Sequence, residues 1–103
     1  ERGTARQLWK ILYDTAENDQ MRYNALLHLQ QLDALDQTDL LSKVALQFKQ
    51  DRGHFPGGWE EMIAGGYLRG VPADPVGVPY VLNPKAERAE VSQNSSLSAV
   101  PTR

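Results

Sequence analysis

The sequence predicts an α+β fold that is mainly α, with a small β-hairpin near the C-terminal end. The first 52 residues carry apolar side chains every three or four positions, which is the spacing of helices that bury one face. After Gly53 the pattern changes, because Pro72, Pro75 and Pro79 exclude a regular helix between them. Two short runs with strand-like content follow, and they predict the hairpin.

Three amphipathic helices are expected before Gly53. Thr4 is a candidate N-cap for the first helix, and Asn18-Asp19 can cap the second. A polar break at Asp36-Gln37 separates the second helix from the third, which Gly53 ends. The apolar stripes, read as core faces, are Leu8, Ile11, Leu12, Thr15 and Ala16; Met21, Ala25, Leu26, Leu29 and Leu32; and Leu40, Leu41, Val44, Ala45 and Phe48. Periodicity leaves open whether these stripes pack on one another or against another unit.

The second part of the chain is predicted to form a cap on the helices. A turn at His54 to Gly58 precedes a short helix around Trp59 to Ala64. Tyr80-Val81-Leu82 and Ala89-Glu90-Val91 are the expected strands, and Phe55, Trp59 and Tyr80 are expected to hold the cap to the helices. The chain is interpreted as one domain, with a helical part (1–52), a turn-rich cap (53–92) and an extended or frayed tail (93–103).

Composition excludes several classes of function. Eleven basic residues are scattered singly against thirteen acidic ones, so no basic stripe is present to bind nucleic acid. The chain has no cysteine, which excludes disulfides, zinc–thiolate sites and thiol catalysis. No apolar run is long enough to cross a bilayer, so no membrane contact is expected within this chain. It begins at Glu1 rather than Met, which we interpret as a fragment of a larger protein.

No catalytic, cofactor-binding or metal-binding residues are predicted, and we expect a non-enzyme. His28 and His54 lack metal-ligand spacing, and Glu60-Glu61 is interpreted as helix N-terminal charge. The remaining candidates have no motif around them: the serines lack a Gly-x-Ser-x-Gly elbow, the glycine pairs lack a phosphate-loop context, and the aspartates lack EF-hand spacing. These remaining candidate serines, glycine pairs and aspartates are Ser92, Ser95, Ser96, Gly57-Gly58, Gly65-Gly66, Asp14, Asp33, Asp36, Asp39 and Asp51. An exposed binding patch of the aromatics in the turn region is the alternative to their role in the core.

Residues 40–82 resemble the periplasmic half of the major pseudopilins of type II secretion and related pilin-like proteins. The resemblance rests on the helix end at Ala45 to Pro56, then Trp59 to Ile63, Gly66-Tyr67-Leu68, and the stretch Asp74-Pro75-Val76-Gly77-Val78-Pro79-Tyr80. It implies a filament subunit in a periplasmic or extracytoplasmic compartment. The acidic calcium loop of those families is replaced here by Ser92 to Leu97, so no calcium ligands are carried over.

Residues 5–35, with Trp9, Tyr13, Ala25 and Leu29, are similar to one helical hairpin of a tetratricopeptide array, whose repeat is about 34 residues. The resemblance implies that neighbouring units cover the hydrophobic face of the hairpin. We therefore expect a protein-interaction or scaffold module from the C-terminal part of a helical-repeat protein, with a protein partner or self-assembly. The alternatives are the soluble part of a pseudopilin-like filament subunit and a small hydrolase with an unrecognised site.

Overall fold

The structure, a computed structural model, describes residues 1–99 of the chain. The elements in chain order are α1 (Arg2–Asp14), α2 (Asp19–Arg52), α3 (Trp59–Ala64), β1 (Val81–Asn83), β2 (Arg88–Glu90) and a 3-10 helix (Ser96–Ala99). The predicted fold class is confirmed: the chain is mainly helical and carries one two-stranded antiparallel hairpin. The molecule measures 52 × 24 × 23 Å. Its long axis matches the ~51 Å expected for a 34-residue helix.

The predicted break at Asp36-Gln37 is wrong, because α2 runs through it without interruption. Both polar side chains have partners on the surface of the helix. Asp36 accepts hydrogen bonds from Arg6 (2.7 Å) and Arg2 (3.0 Å) of α1, whereas Gln37 accepts one from the hydroxyl of Tyr80. Neither residue type stops a helix as Gly or Pro would. The polar pair therefore marks where other elements contact α2.

Of the three predicted caps of the two long helices, two are confirmed and one is wrong. Asn18 Oδ1 accepts from the Met21 N–H at 2.8 Å, and Gly53 ends α2 with φ 86°, so both predictions are confirmed. The predicted N-cap Thr4 is wrong. Glu1 caps α1 instead, because its carboxylate accepts from the backbone N–H groups of Gly3 (2.7 Å) and Thr4 (3.2 Å).

The first predicted stripe does not face a core within the described residues. α1 has no buried residue, and its partly buried side chains are a different set: Arg2, Ala5, Arg6, Trp9 and Tyr13. The ring of Trp9 stacks on His28 with centroids 3.8 Å apart. Leu8 and Ile11 are each 58% exposed and Leu12 is 48% exposed. These three residues are called the α1 stripe below.

The core lies between the C-terminal two-thirds of α2 and the cap. Four α2 residues, four cap residues and one residue of the predicted tail form one buried cluster: Ala34, Leu41, Ala45, Phe48, Trp59, Met62, Tyr80, Ala89 and Leu97. The indole N–H of Trp59 donates to the backbone carbonyl of Tyr80 at 2.8 Å within the cap. Both rings pack in the same buried cluster as the α2 residues, as predicted. Phe55 is partly buried at the margin of the same cluster.

The hairpin forms one position later than predicted on its first strand and one position earlier on its second, with Leu82 opposite Ala89. The segment after it differs from the expected extended or frayed tail. Leu97 is 1% exposed inside the core, and Ser95 is 3% exposed. Leu97 lies six residues beyond Val91, the last residue of the predicted second strand. Its apolar side chain completes the core and leaves no room there for water. Residues 100–103 of the predicted tail lie outside the described part of the chain.

Candidate functional site

The two histidines lie in different environments. His28 is half-buried in the α1–α2 contact, where its Nδ1 lies 3.0 Å from the backbone carbonyl of Asn24 and its ring stacks on Trp9. His54 is exposed, and its Nε2 lies 2.9 Å from Glu61 Oε2. The first histidine is a packing residue between helices, and only the second lies beside a carboxylate.

The pair of His54 and Glu61 borders a shallow cleft of about 390 Å³. Glu61 lies in the first turn of α3, as predicted for helix N-terminal charge, and its Oε1 accepts from the Gly57 N–H at 2.7 Å. These bonds to Gly57 and His54 hold the pKa of Glu61 below its usual range. None of the described lining residues carries a hydroxyl: they are Phe48, Arg52, His54, Glu61, Ala64 and Gly65. The contact between His54 and Glu61 therefore links the turn before α3 to the first turn of that helix.

Ser95 meets a carboxylate that is distant in sequence. Its Oγ donates to Asp74 Oδ2 at 2.5 Å, and both residues are buried. Asp74 Oδ1 accepts from the N–H groups of Val76 and Val78, each at 3.0 Å. The Asp-Pro-x-Gly pattern signals the turn bonds, but only the fold brings Ser95 there. This carboxylate holds a loop in place.

Three of the candidate aspartates lie between α1 and α2. Asp33, Asp36 and Asp39 form ion pairs with Arg2 and Arg6 over 2.7–3.3 Å. Arg6, and then Arg2, lower the pKa of Asp36. Within residues 1–99, no group of three or more acidic or histidine side chains is arranged to hold a metal ion.

The other two aspartates lie on helix surfaces. Asp14 pairs with Lys10 at 3.6 Å, one helical turn earlier in α1. Asp51 accepts from the hydroxyl of Tyr67 at 2.6 Å and from the Gln47 amide at 2.8 Å, and these bonds, Tyr67 first, lower its pKa. Both carboxylates are tied to neighbouring side chains and face solvent.

A groove of about 960 Å³ runs between α2 and the segment that begins with β2. We call it the α2–β2 groove. Its α2 wall follows one helix face over four turns, and its other wall is the strand, the residues flanking it and the 3-10 helix. The lining residues are Gln31, Leu35, Thr38, Asp39, Ser42, Lys43, Leu46, Glu87, Arg88, Ala89, Glu90, Val91, Gln93, Leu97 and Ser98. The sequence does not predict this groove, because its two walls come from parts of the chain about fifty residues apart.

Polar groups in the floor of the groove join its two walls. The Ser42 hydroxyl accepts from the Ala89 N–H at 2.8 Å and donates to the Thr38 carbonyl at 2.6 Å. Because the Ala89 N–H points away from β1, Leu82 and Ala89 form a non-hydrogen-bonded pair of the hairpin. The outer edge of β2 thus faces α2 and borders the groove.

No family model, curated protein or solved structure matches this chain. The pseudopilin and tetratricopeptide resemblances therefore stay predictions. Among the described residues, none of the helices combines the length and the apolar composition needed to cross a bilayer. Two surfaces then stand out as candidate sites: the α1 stripe and the α2–β2 groove.

Proposed function

We propose that this chain is a non-enzymatic interaction module that stacks, through the α1 stripe, against a neighbouring helical hairpin of a larger scaffold. The exposure of Leu8, Ile11 and Leu12 carries the proposal. Burying an aliphatic side chain fully is worth about 1.5–3 kcal/mol. An amphipathic helix that leaves its aliphatic side in water therefore forgoes several kcal/mol, which a stacked neighbour would recover.

A hairpin fits this surface better than a second copy packed by α1 alone. Three side chains, each about half exposed, fall far short of the ~800 Å² per partner that a stable dimer buries. A stacked hairpin would also reach Met21, which is 48% exposed at the start of α2. In a repeat array, the second helix of one unit covers the first helix of the next. The α2 residues Leu27 and Ala34, which the cap covers here, would supply that surface in a neighbouring unit.

A tandem chain tests this proposal. A second copy of residues 1–35, fused before Glu1, places an uncapped hairpin beside the native α1. If the copies stack, we expect the free energy of unfolding of the native unit to rise by about 1–3 kcal/mol, measured by urea titration. An unchanged value would contradict stacking.

The duplicated chain offers its own matched control. Ile11→Glu in the native copy should cancel the gain, because it places a charge in the new interface. The same substitution in the added copy should leave the gain, because that α1 stays uncovered. Equal effects in both copies would mean that the gain does not come from the α1 stripe.

The unbroken α2 favours one second candidate, the soluble part of a pseudopilin-like filament subunit. A long helix whose C-terminal part carries a turn-rich cap is the arrangement that the resemblance over residues 40–82 implies. Sequence upstream of Glu1 in the natural gene distinguishes the two candidates. An apolar helix of about 20 residues there would favour the filament, whereas further units of about 34 residues would favour the scaffold.

A further inference from the structure

We propose that the α2–β2 groove binds an extended, acidic peptide segment of a partner protein. This surface is separate from the α1 stripe, and the proposal does not depend on stacking. It rests on three independent features of the groove: its length beside a strand edge, two polar groups without a partner among residues 1–99, and one lysine that forms no ion pair with those residues.

The shape of the groove matches an extended chain. The α2 wall from Gln31 to Leu46 covers 15 residue steps, or about 22 Å at ~1.5 Å per residue. An extended peptide rises about 3.3 Å per residue, so six or seven residues would fill that length. Placing an extended segment between a helix and a strand edge is an established mode of peptide recognition.

Two polar groups in the groove have no hydrogen-bond partner in the described part of the chain. Gln31 is only 5% exposed, and its side-chain amide makes no hydrogen bond with the described residues. Every fully enclosed side-chain N or O atom of that part of the chain has a partner, so the Gln31 amide must open onto the groove. The Ala89 carbonyl points to the same side as its N–H, and no loop amide or side chain of residues 1–99 donates to it. Peptide N–H and C=O groups would satisfy both.

The charges select an acidic segment. Each carboxylate of the groove already has a cation. Asp39 pairs at 2.7 Å with Arg2, which it shares with Asp36, whereas Glu90 pairs with Arg88 at 2.7 Å and Glu87 with Lys49. Lys43 lines the same groove, and no carboxylate of the described residues lies within 4.0 Å of its ammonium. Its ammonium is therefore available to pair with a carboxylate of the ligand.

Binding of two capped octapeptides tests the proposal. The first, called the Glu peptide, alternates Val with Glu, and the second, called the Lys peptide, alternates Val with Lys. We expect the Glu peptide to bind the full chain with Kd below about 1 mM, by fluorescence anisotropy, and its affinity to fall as salt is added. The Lys peptide should bind at least about fivefold more weakly. In NMR spectra, the Gln31 side-chain amide signals should shift with the Glu peptide.

Three variants locate the site. Lys43→Glu should weaken the Glu peptide by about five- to tenfold, because it exchanges an attraction for a repulsion. Lys85→Glu makes the same charge change in the hairpin turn, outside the groove lining, and should leave the affinity within about twofold. Gln31→Met should weaken binding with an unchanged melting temperature, since it keeps the size of the side chain and removes the amide.

The proposal would be overturned by any of four results. They are no binding of the Glu peptide at about 1 mM, equal binding of both peptides, equal effects of Lys43→Glu and Lys85→Glu, or peptide-induced shifts confined to α1. Concentration-dependent dimerisation that Lys43→Glu abolishes would assign the groove to a second copy of the chain instead.

Discussion

Asp74 holds the loop from Pro72 to Tyr80 through one buried carboxylate. Its oxygens accept two loop N–H groups and the Ser95 hydroxyl, and its own backbone N–H donates to the Val78 carbonyl at 2.9 Å. The loop then closes with the Tyr80 N–H on the Pro72 carbonyl at 3.0 Å. A buried carboxylate with three donors is stable in its site. These bonds fix the conformation of the loop, and the loop positions Tyr80 so that its ring lies in the core.

Gly77→Val should lower the free energy of unfolding by about 1–3 kcal/mol. Gly77 has φ 91°, and an added Cβ would meet no atom within 4 Å, so the loss would come from backbone strain alone. Urea denaturation measures it. Gly70→Val is the matched control, because Gly70 has open space and no positive φ. Equal losses in both variants would contradict the strain argument.

Tyr80 should make the protein sensitive to alkali. Burial, and then the charges of Asp74 and Asp33, raise the pKa of Tyr80 to about 12. An unfolded tyrosine ionises near pH 10, so the stabilising contribution is complete below that pH and is lost as pH rises from about 10 to about 12. Between pH 8 and pH 11, the free energy of unfolding of Tyr80→Phe should therefore fall by less than that of the parent protein. Urea titration at each pH measures it.

The phenylalanine variant also reports on the hydroxyl itself. At pH 7 it should be less stable by about 1 kcal/mol, because Gln37 loses the Tyr80 O–H as its donor. Tyr13→Phe is the control, since Tyr13 is only partly buried and lies in the α1–α2 contact. If both variants lose stability in alkali as fast as the parent, the ionisation of Tyr80 does not govern the loss.

At the scale of elements, α1 is held to α2 mainly by side chains that stay partly exposed. The contact consists of the Trp9–His28 stack and the ion pairs of Arg2 and Arg6 with α2 aspartates. No residue of α1 is buried, whereas eight residues of α2 are. Elements with little buried area open locally before the rest of the fold. We therefore expect α1 to be the first helix to detach.

Asp36→Asn should make α1 detach more often. Arg2 and Arg6 would each lose a carboxylate partner but keep Asp39 and Asp33, and exposed pairs of this kind are worth about 0.2–1 kcal/mol. Hydrogen exchange of the α1 amides should then speed up by about two- to fivefold. Asp14→Asn, which removes only the pair with Lys10, should have a smaller effect.

The same contact should depend on pH. The pKa of Asp36 is lowered in the folded state, so its contribution is present above the unfolded value of about 3.9 and is lost as pH falls through the lowered folded value. Exchange of the α1 amides at low salt should therefore change less between pH 5 and pH 3 in Asp36→Asn than in the parent, after correction for intrinsic rates. Identical changes would exclude Asp36 as the titrating group.

At the scale of the whole molecule, α2 is an axis with α1 on one side and the cap on the other. The buried cluster under the cap spans Ala34 to Phe48 of α2, and the partly buried Leu27 packs against it. That cluster also includes Leu97, from the last described element. The core is thus closed by a residue near the C-terminal end, and we expect the cap and α2 to unfold together.

Leu97→Ala tests this arrangement. Leu97 is 1% exposed, so the truncation should leave a cavity and lower the free energy of unfolding by about 2–5 kcal/mol. Leu40→Ala is the matched control, because Leu40 is 63% exposed on α2 and should change stability by less than about 0.5 kcal/mol. A small effect at Leu97 would mean that the segment after β2 does not complete the core.

Several features could be predicted from the sequence because their causes lie within a few residues. Asn18 caps the N–H three residues later, Gly53 takes the left-handed conformation that ends a helix, and prolines exclude helix from the loop before Tyr80. The hairpin also follows from two short runs joined by a turn. Fold class is the sum of such local preferences, so it was predicted correctly.

Tertiary structure decided whatever depends on residues far apart in the chain. Asp36-Gln37 has the composition of a break, yet α2 runs through it, and both side chains contact other elements, Asp36 in α1 and Gln37 in the cap. The α1 stripe has the spacing of a core face, but its exposure depends on which side of α1 meets α2. Gln31 and Lys43 become groove residues only when β2 lies beside them. Periodicity states that a helix has an apolar side, whereas long-range packing determines what covers it.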